Sequence, residues 1–402
     1  MNNRYIIAGA GIAGLSAAKA IRQTDPDGII DIFTAENNMP YSRPMLTKTP
    51  FNSFNPNDWM IYQNQWFEDN NITLHINSRL TGTDNISQTV FDGCGSYHYD
   101  KLIIACGAES FIPPIPGANS EGVFTIRRSE DIFAIKKACK ASKHAVIIGG
   151  GVIGLEAASE LLRYGQKVTV LESMPYLMAK QIDEEISDII CRSFPDTAIH
   201  TGVNIISVKK ALGGDSGLVV NLADGRSFPC DFIIMSCGVR AQVTFAPESV
   251  KSQGAVAIDE YCRTSDENIY AAGDCAKASG MNYALWSSAM AQGKTAGLNA
   301  AADLCGTKRF TVPDFDTSLV INSPYLSLFA LGDMGKNHDK EYEIKRFYSE
   351  EKDNLFFVNP AAGNYFAKVC FSDGKPVGAT IVGNLSNMQT LKETIQIERP
   401  EK

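Results

Sequence analysis

One construction stands twice in this chain. Near the start, Arg4-Tyr-Ile-Ile-Ala-Gly9-Ala-Gly11-Ile-Ala-Gly14-Leu-Ser-Ala-Ala-Lys-Ala-Ile runs from an apolar strand through a G-x-G-x-x-G turn into small and apolar residues at helical spacing. His144-Ala-Val-Ile-Ile-Gly149-Gly-Gly151-Val-Ile-Gly154-Leu-Glu156-Ala-Ala-Ser-Glu-Leu-Leu does the same. Each is followed by a second apolar strand closing on an acid, Ile30-Asp-Ile-Phe-Thr-Ala-Glu36 and Lys167-Val-Thr-Val-Leu-Glu172. In such a unit the first glycine permits the tight turn, the second lets backbone approach a pyrophosphate, and the third lets the helix pack on the strand. The helix N-terminus offers N–H groups and positive dipole to the phosphates. The distal acid accepts hydrogen bonds from ribose hydroxyls. Two such units predict an α/β protein with two Rossmann-like dinucleotide-binding domains.

The remaining sequence fits around these units. Tyr99-Asp-Lys-Leu-Ile-Ile-Ala105-Cys106-Gly107 reads as a buried strand ending in a glycine turn, after which Pro113, Pro114, Pro116 and Gly117 break the chain as a domain crossing would. Cys230-Asp-Phe-Ile-Ile-Met-Ser-Cys-Gly238 closes the second unit. Thr264-Ser-Asp-Glu-Asn-Ile-Tyr270-Ala-Ala-Gly273-Asp274 is another strand, with an acid at its carboxyl end, where open α/β sheets bind ligands. The expected organisation is a discontinuous first domain (1–111 and 240–313), an inserted second (112–239) and a small α+β part (314–402). In that last part Tyr342–Tyr348, Leu355–Val358, Tyr365–Phe371 and Pro376–Val382 read as antiparallel strands, and Asn387–Ile397 as a final helix.

Composition narrows the partners. The chain has 402 residues, 44% hydrophobic and 20% charged, with net charge -8. An acidic chain repels phosphate backbones, so nucleic acid is excluded as an expected partner. No apolar run is long enough for a membrane span. The chain enters a strand within its first residues, leaving no room for a signal peptide, so the cytoplasm is the expected location. The ten cysteines include no C-x-x-C or C-x-x-x-x-C, and the five histidines no paired spacing, so no metal site is expected.

On these residues the chain resembles the two-dinucleotide-binding-domain flavoproteins of the pyridine nucleotide-disulfide oxidoreductase superfamily. Within it the likeness is to NADH:rubredoxin and flavorubredoxin reductases. Supporting stretches are Tyr99-Asp-Lys-Leu-Ile-Ile-Ala, Phe111-Ile-Pro-Pro-Ile-Pro-Gly, Gln292-Gly-Lys-Thr-Ala-Gly-Leu-Asn-Ala and Ser323-Pro-Tyr-Leu-Ser-Leu-Phe-Ala-Leu-Gly. The resemblance implies FAD on the first unit, with Gly9, Ala10, Gly11, Ile12, Ala13 and Gly14 at the pyrophosphate and Glu36 at the adenosine ribose. It adds Arg43, Lys48, Leu80, Ala105, Cys106, Gly107, Gly273, Asp274 and Trp286 to that FAD set, with Asp274 on the ribitol chain. Lys48 is implied to be the cation near the flavin's reactive edge. NADH is implied on Gly149, Gly151, Ile153, Gly154, Glu156, Glu172 and Gly238, with Glu156 toward the nicotinamide. Lys48 and Glu156 are thus the expected catalytic residues. An acid at 172 repels a 2′-phosphate, so NADH is expected over NADPH. Two departures stand out: Ala105-Cys106-Gly107 replaces Ala-Thr-Gly, and Gly238-Val-Arg-Ala241 replaces Gly-x-x-Pro.

The stretch Met39-Pro-Tyr-Ser-Arg-Pro-Met-Leu-Thr-Lys48 lacks the reactive cysteine that many relatives carry there, and no cysteine lies between Gly14 and Gly93. Without motif sulfur, a mixed disulfide or sulfenate relay has no atoms to run on. Electrons are therefore expected to leave the flavin directly for a small electron-carrier protein, rubredoxin or a rubredoxin-like domain. Alternatives left open are a ferredoxin reductase, an NADH oxidase or flavin reductase using oxygen, and an FAD- and NADH-binding redox-sensing interaction protein. A monomer is expected.

Overall fold

In the computed structural model, residues 2–211, 217–336, 339–348 and 365–395 are described. They divide into two compact units, each assembled from three stretches of chain: 1–45, 55–109 and 239–317 in the first, 46–54, 110–238 and 318–402 in the second.

The first unit is built on a five-stranded parallel sheet. Its order is Ile269–Ala271, Lys101–Ile104, Arg4–Ala8, Ile29–Phe33, Ile72–His75. Arg4–Ala8 and Lys101–Ile104 are near-continuous apolar runs because a parallel sheet covered by helices is buried on both faces. The chain leaves the central strand in one direction to Ile29–Phe33 and returns on the other side as Lys101–Ile104, which makes the end of Arg4–Ala8 a topological switch point. Helix Ile12–Thr24 packs against helix Trp286–Cys305 at small residues. A Cβ on Gly293 would lie 2.1 Å from the Ala13 carbonyl oxygen, and one on Gly297 2.3 Å from that of Ala17. Only glycine permits backbones this close.

The second unit repeats the plan with the parallel order Thr197–His200, Lys167–Leu171, His144–Ile148, Phe232–Met235, Val123–Phe124. It also holds a five-stranded antiparallel sheet in the order Leu319–Asn322, Ser327–Gly332, Lys375–Gly383, Tyr365–Ser372, Glu343–Tyr348. Three of the four expected C-terminal strands are seen there. The expected Leu355–Val358 run lies outside the described residues. The strands Leu319–Asn322 and Ser327–Gly332 complete the sheet without having been anticipated. Asp373 and Gly374, both at positive φ (51° and 72°), make the tight turn joining two of the strands. The helix spans Met388–Thr394, and the end of the expected stretch, 396–397, is outside the described residues. No helix of the described residues is long and apolar enough to cross a membrane.

Candidate cofactor and electron-transfer site

In the first unit the three fingerprint glycines divide their labour visibly. Gly9 has φ +115°, and a Cβ there would lie 2.3 Å from the Ala105 carbonyl oxygen. A Cβ on Gly14 would lie 1.9 Å from the Gly9 carbonyl oxygen. Those two are required by packing. A Cβ on Gly11 meets nothing within 4 Å, so packing does not require a glycine there. Gly11 is also the N-cap of helix Ile12–Thr24 and supplies no side-chain cap. The first-turn N–H groups are thereby left for an outside acceptor. Ala10 and Ala13 are buried around the turn and Ile12 is half-buried.

Glu36 accepts from the Tyr41 hydroxyl at 2.8 Å and is ion-paired with Arg43. Ala105 is buried and Gly107 has φ +70°. Gly273–Cys275 forms a single helical turn at the end of Ile269–Ala271; the Gly273 amide donates to Gln292 Oε1 at 2.8 Å, and Asp274 lies within the turn. Leu80 is buried, and Trp286, half-buried, opens helix Trp286–Cys305. All the residues expected at FAD thus fall in the first unit except Lys48, which counts with the second.

The second unit reproduces the cradle. Gly149 has φ +112°, with a Cβ position 2.5 Å from the Ser236 carbonyl oxygen; that of Gly154 is 2.1 Å from the Gly149 carbonyl oxygen; that of Gly151 is open. Gly151 caps helix Val152–Arg163 with no side chain. Glu172 closes over the turn, accepting from the Gly150 amide at 2.6 Å and the Met174 amide at 2.7 Å. Gly238 has φ +98°, and Ile153 is exposed at the helix start. Glu156 is buried and accepts a hydrogen bond from Thr47. Burial pushes its carboxyl up, against the Thr47 bond and the Lys48 charge, which pull it down.

Several participants carry no motif signal. Thr47, Tyr41 and Gly150 lie beside residues that were singled out, but nothing in their spacing marks them. Cys106 donates to the Gln242 carbonyl, and its thiol interacts with that of Cys275. The thiol contact comes first, and burial second, in pushing the Cys106 thiol up. Among the described residues no group of three or more His, Cys, Asp or Glu is arranged to hold a metal ion.

Two open glycine positions, each at an uncapped helix N-terminus and each in a unit whose second strand is followed by an acid, fit two dinucleotides. The pyridine nucleotide-disulphide oxidoreductase family model matches residues 3–293, and the chain belongs to that family. Its members bind FAD and NAD(H). The chain is 30% identical over 405 residues to a nitrite reductase [NAD(P)H] of Bacillus subtilis, covering 98% of this chain and 47% of that protein. It is 32% identical over 278 residues to a rubredoxin-NAD(+) reductase of Pseudomonas putida, covering 68% of this chain and 72% of that one. Among solved structures it is similar to a ferredoxin reductase of Rhodopseudomonas palustris, with TM-score 0.82 and 26% identity over 98% of this chain and 96% of the other. The chain spans about half or less of the length of the first curated relatives it matches, 47%, 49% and 30% of them.

Proposed function

We propose that this chain oxidises NADH at an FAD and passes the electrons, without a thiol relay, to a small redox protein, with rubredoxin or a rubredoxin-like domain as the acceptor. The observation that carries this is the pair of ligand-open cradles in a chain lacking any cysteine pair at the family's relay spacing. The likeness to a rubredoxin-NAD(+) reductase supports the choice of acceptor. Bound FAD supplies the ability to accept a hydride's two electrons and release them singly. The chain's part is to bind and orient. Gly11 and the N–H groups of helix Ile12–Thr24 hold the FAD pyrophosphate, Glu36 the adenosine ribose, and Asp274 the ribitol. Gly151 and helix Val152–Arg163 hold the NADH pyrophosphate, Glu172 its ribose, and Glu156 sits toward the nicotinamide. Lys48 supplies positive charge to the site.

A second reading, a ferredoxin reductase, is favoured by the similarity to the Rhodopseudomonas enzyme across nearly its whole length. The same experiment separates them. Enzyme reduced anaerobically with NADH is mixed in a stopped-flow instrument with rubredoxin, with a [2Fe–2S] ferredoxin, or with oxygenated buffer. Fast flavin reoxidation is expected with rubredoxin and slow reoxidation with oxygen, and NADPH is expected to reduce the flavin at least about tenfold less efficiently than NADH. Reoxidation by ferredoxin alone moves the assignment to the second reading; reoxidation by oxygen alone removes both.

A further inference from the structure

The stretch Leu46–Phe54 counts with the second unit and is fastened to it along its length. Thr47 donates its hydroxyl to Glu156 Oε2. The Phe51 amide draws the Glu160 carboxyl down, the Asn52 carbonyl accepts from Lys136 Nζ at 2.6 Å, and the Phe54 and Phe133 rings lie 6.2 Å apart. Thr47 and Glu156 are 4% and 3% exposed, so water does not compete for their bond. The other carboxyl oxygen, Glu156 Oε1, is buried with no partner among the described residues. A buried acceptor left in this way is costly, and its retention calls for a donor from elsewhere.

We propose that Thr47 is a positioning residue for Glu156: by engaging Oε2 it fixes the carboxyl group and leaves Oε1 as the oxygen available to an N–H donor of the bound pyridine nucleotide. This rests on the reading of Glu156 as a nucleotide-facing residue. The Thr47 hydroxyl stabilises the ionised carboxylate, which is also the better acceptor for an N–H donor. Lys48, from the same stretch, is the charged group facing Glu156 and acts in the same direction. On Glu156's own helix, Glu160 is ion-paired with Arg163 at 3.7 Å, and the Phe51 amide also favours its charge. Thr47 is therefore the neutral group whose removal changes the carboxyl's state without removing a charge.

The test uses FAD-loaded protein. The Glu156 carboxyl is titrated by infrared difference spectroscopy, its band assigned with Glu156→Gln, and NADH affinity is measured by calorimetry at neutral pH. Thr47→Val is expected to move the midpoint up by about one pH unit and weaken NADH binding about tenfold. Thr47→Ser is expected to keep both values, and Thr47→Cys, a weaker donor, to shift the midpoint part of the way. An unmoved midpoint and affinity in Thr47→Val, with NADH binding weakened in Glu156→Gln, overturns the role of Thr47 and leaves the nucleotide-facing reading standing. Unchanged NADH affinity in Glu156→Gln overturns that reading and this proposal with it. Should Thr47→Val fail to load FAD, the Ser and Cys variants decide: a raised midpoint in Cys alone supports the proposal, and wild-type values in both overturn it.

Discussion

At the residue scale, the distinction between a glycine the fold needs and one a ligand needs is open to experiment. Gly11 has φ -72° and open space where a Cβ would go, so alanine fits the apoprotein without strain. Gly14 has the Gly9 carbonyl oxygen 1.9 Å from that position. Gly11→Ala is expected to leave the apoprotein's melting temperature within the scatter of an ordinary surface change, about 0.5 kcal/mol, while weakening FAD at least about tenfold. Gly14→Ala is expected to destabilise the apoprotein by roughly 1–3 kcal/mol, because the helix must move off its strand. Thermal melts of apoprotein and fluorescence titration with FAD separate the two. A destabilised Gly11→Ala apoprotein would make the cradle a packing turn. The spacing of these glycines was legible in the sequence because each sits at a fixed offset within a local strand–turn–helix. The partners of Glu36 and Glu156 were not, because Tyr41 and Thr47 meet them only through folding, and a threonine beside a lysine has no spacing of its own to announce it.

At the scale of elements, the parallel strands and fingerprint helices could be read from periodicity alone, since each is a continuous apolar run or a stripe of small residues. What could not be read was how the antiparallel sheet is fastened within the second unit. Lys368, buried in strand Tyr365–Ser372, is ion-paired with Asp183, and its Nζ lies 2.8 Å from Glu185. Arg346 of strand Glu343–Tyr348 completes the set at 2.8 Å from Glu185. Asp183 is at the same time the N-cap of helix Glu184–Ser193, accepting from the Ile186 amide at 3.1 Å. The Arg346 hydrogen bond first, then those from Lys368, hold the Glu185 carboxyl down at about 2, against its burial. A folded-state value below the unfolded one of about 4.3 means stability that is present above pH of about 4.3 and is lost as pH falls toward 2. With the Glu185 side chain 36% exposed, solvent screens much of that contribution. Lys368→Met is expected to cost roughly 1–3 kcal/mol at neutral pH, less than a fully dry broken pair because both acids stay partly hydrated. Its deficit against wild type should shrink between about pH 4.3 and 2. Denaturant melts across that range check this; a deficit independent of pH would assign Lys368 to packing alone.

At the scale of the whole molecule, the proposed electron route depends on sulfur being a bystander, and the fold sharpens that question. Sequence spacing offers no cysteine pair, yet the first unit brings the Cys106 and Cys275 thiols close enough to interact, in the turns that follow strands Lys101–Ile104 and Ile269–Ala271. Both thiols are free, Cys275 is wholly buried, and its Sγ is 3.3 Å from the carbonyl oxygens of Ile104 and Ala272. The Cys275 interaction and burial push the Cys106 thiol up, whereas the same interaction pulls the Cys275 thiol down against its burial; the thiolate is the form that attacks a disulfide or peroxide. Cys275 has no exposed surface, so on the proposed route the pair packs at the strand ends and relays no electrons. Cys275→Ala removes one member and leaves a small apolar side chain in its place. If flavin is the last stop, the variant should be reduced by NADH and reoxidised by the protein acceptor at wild-type rates, with only the modest loss of stability that a small cavity brings, about 1 kcal/mol. A variant that still takes up FAD and accepts electrons from NADH but no longer delivers them would place a thiol in the path, and the resemblance would shift toward the relay-using members of the family.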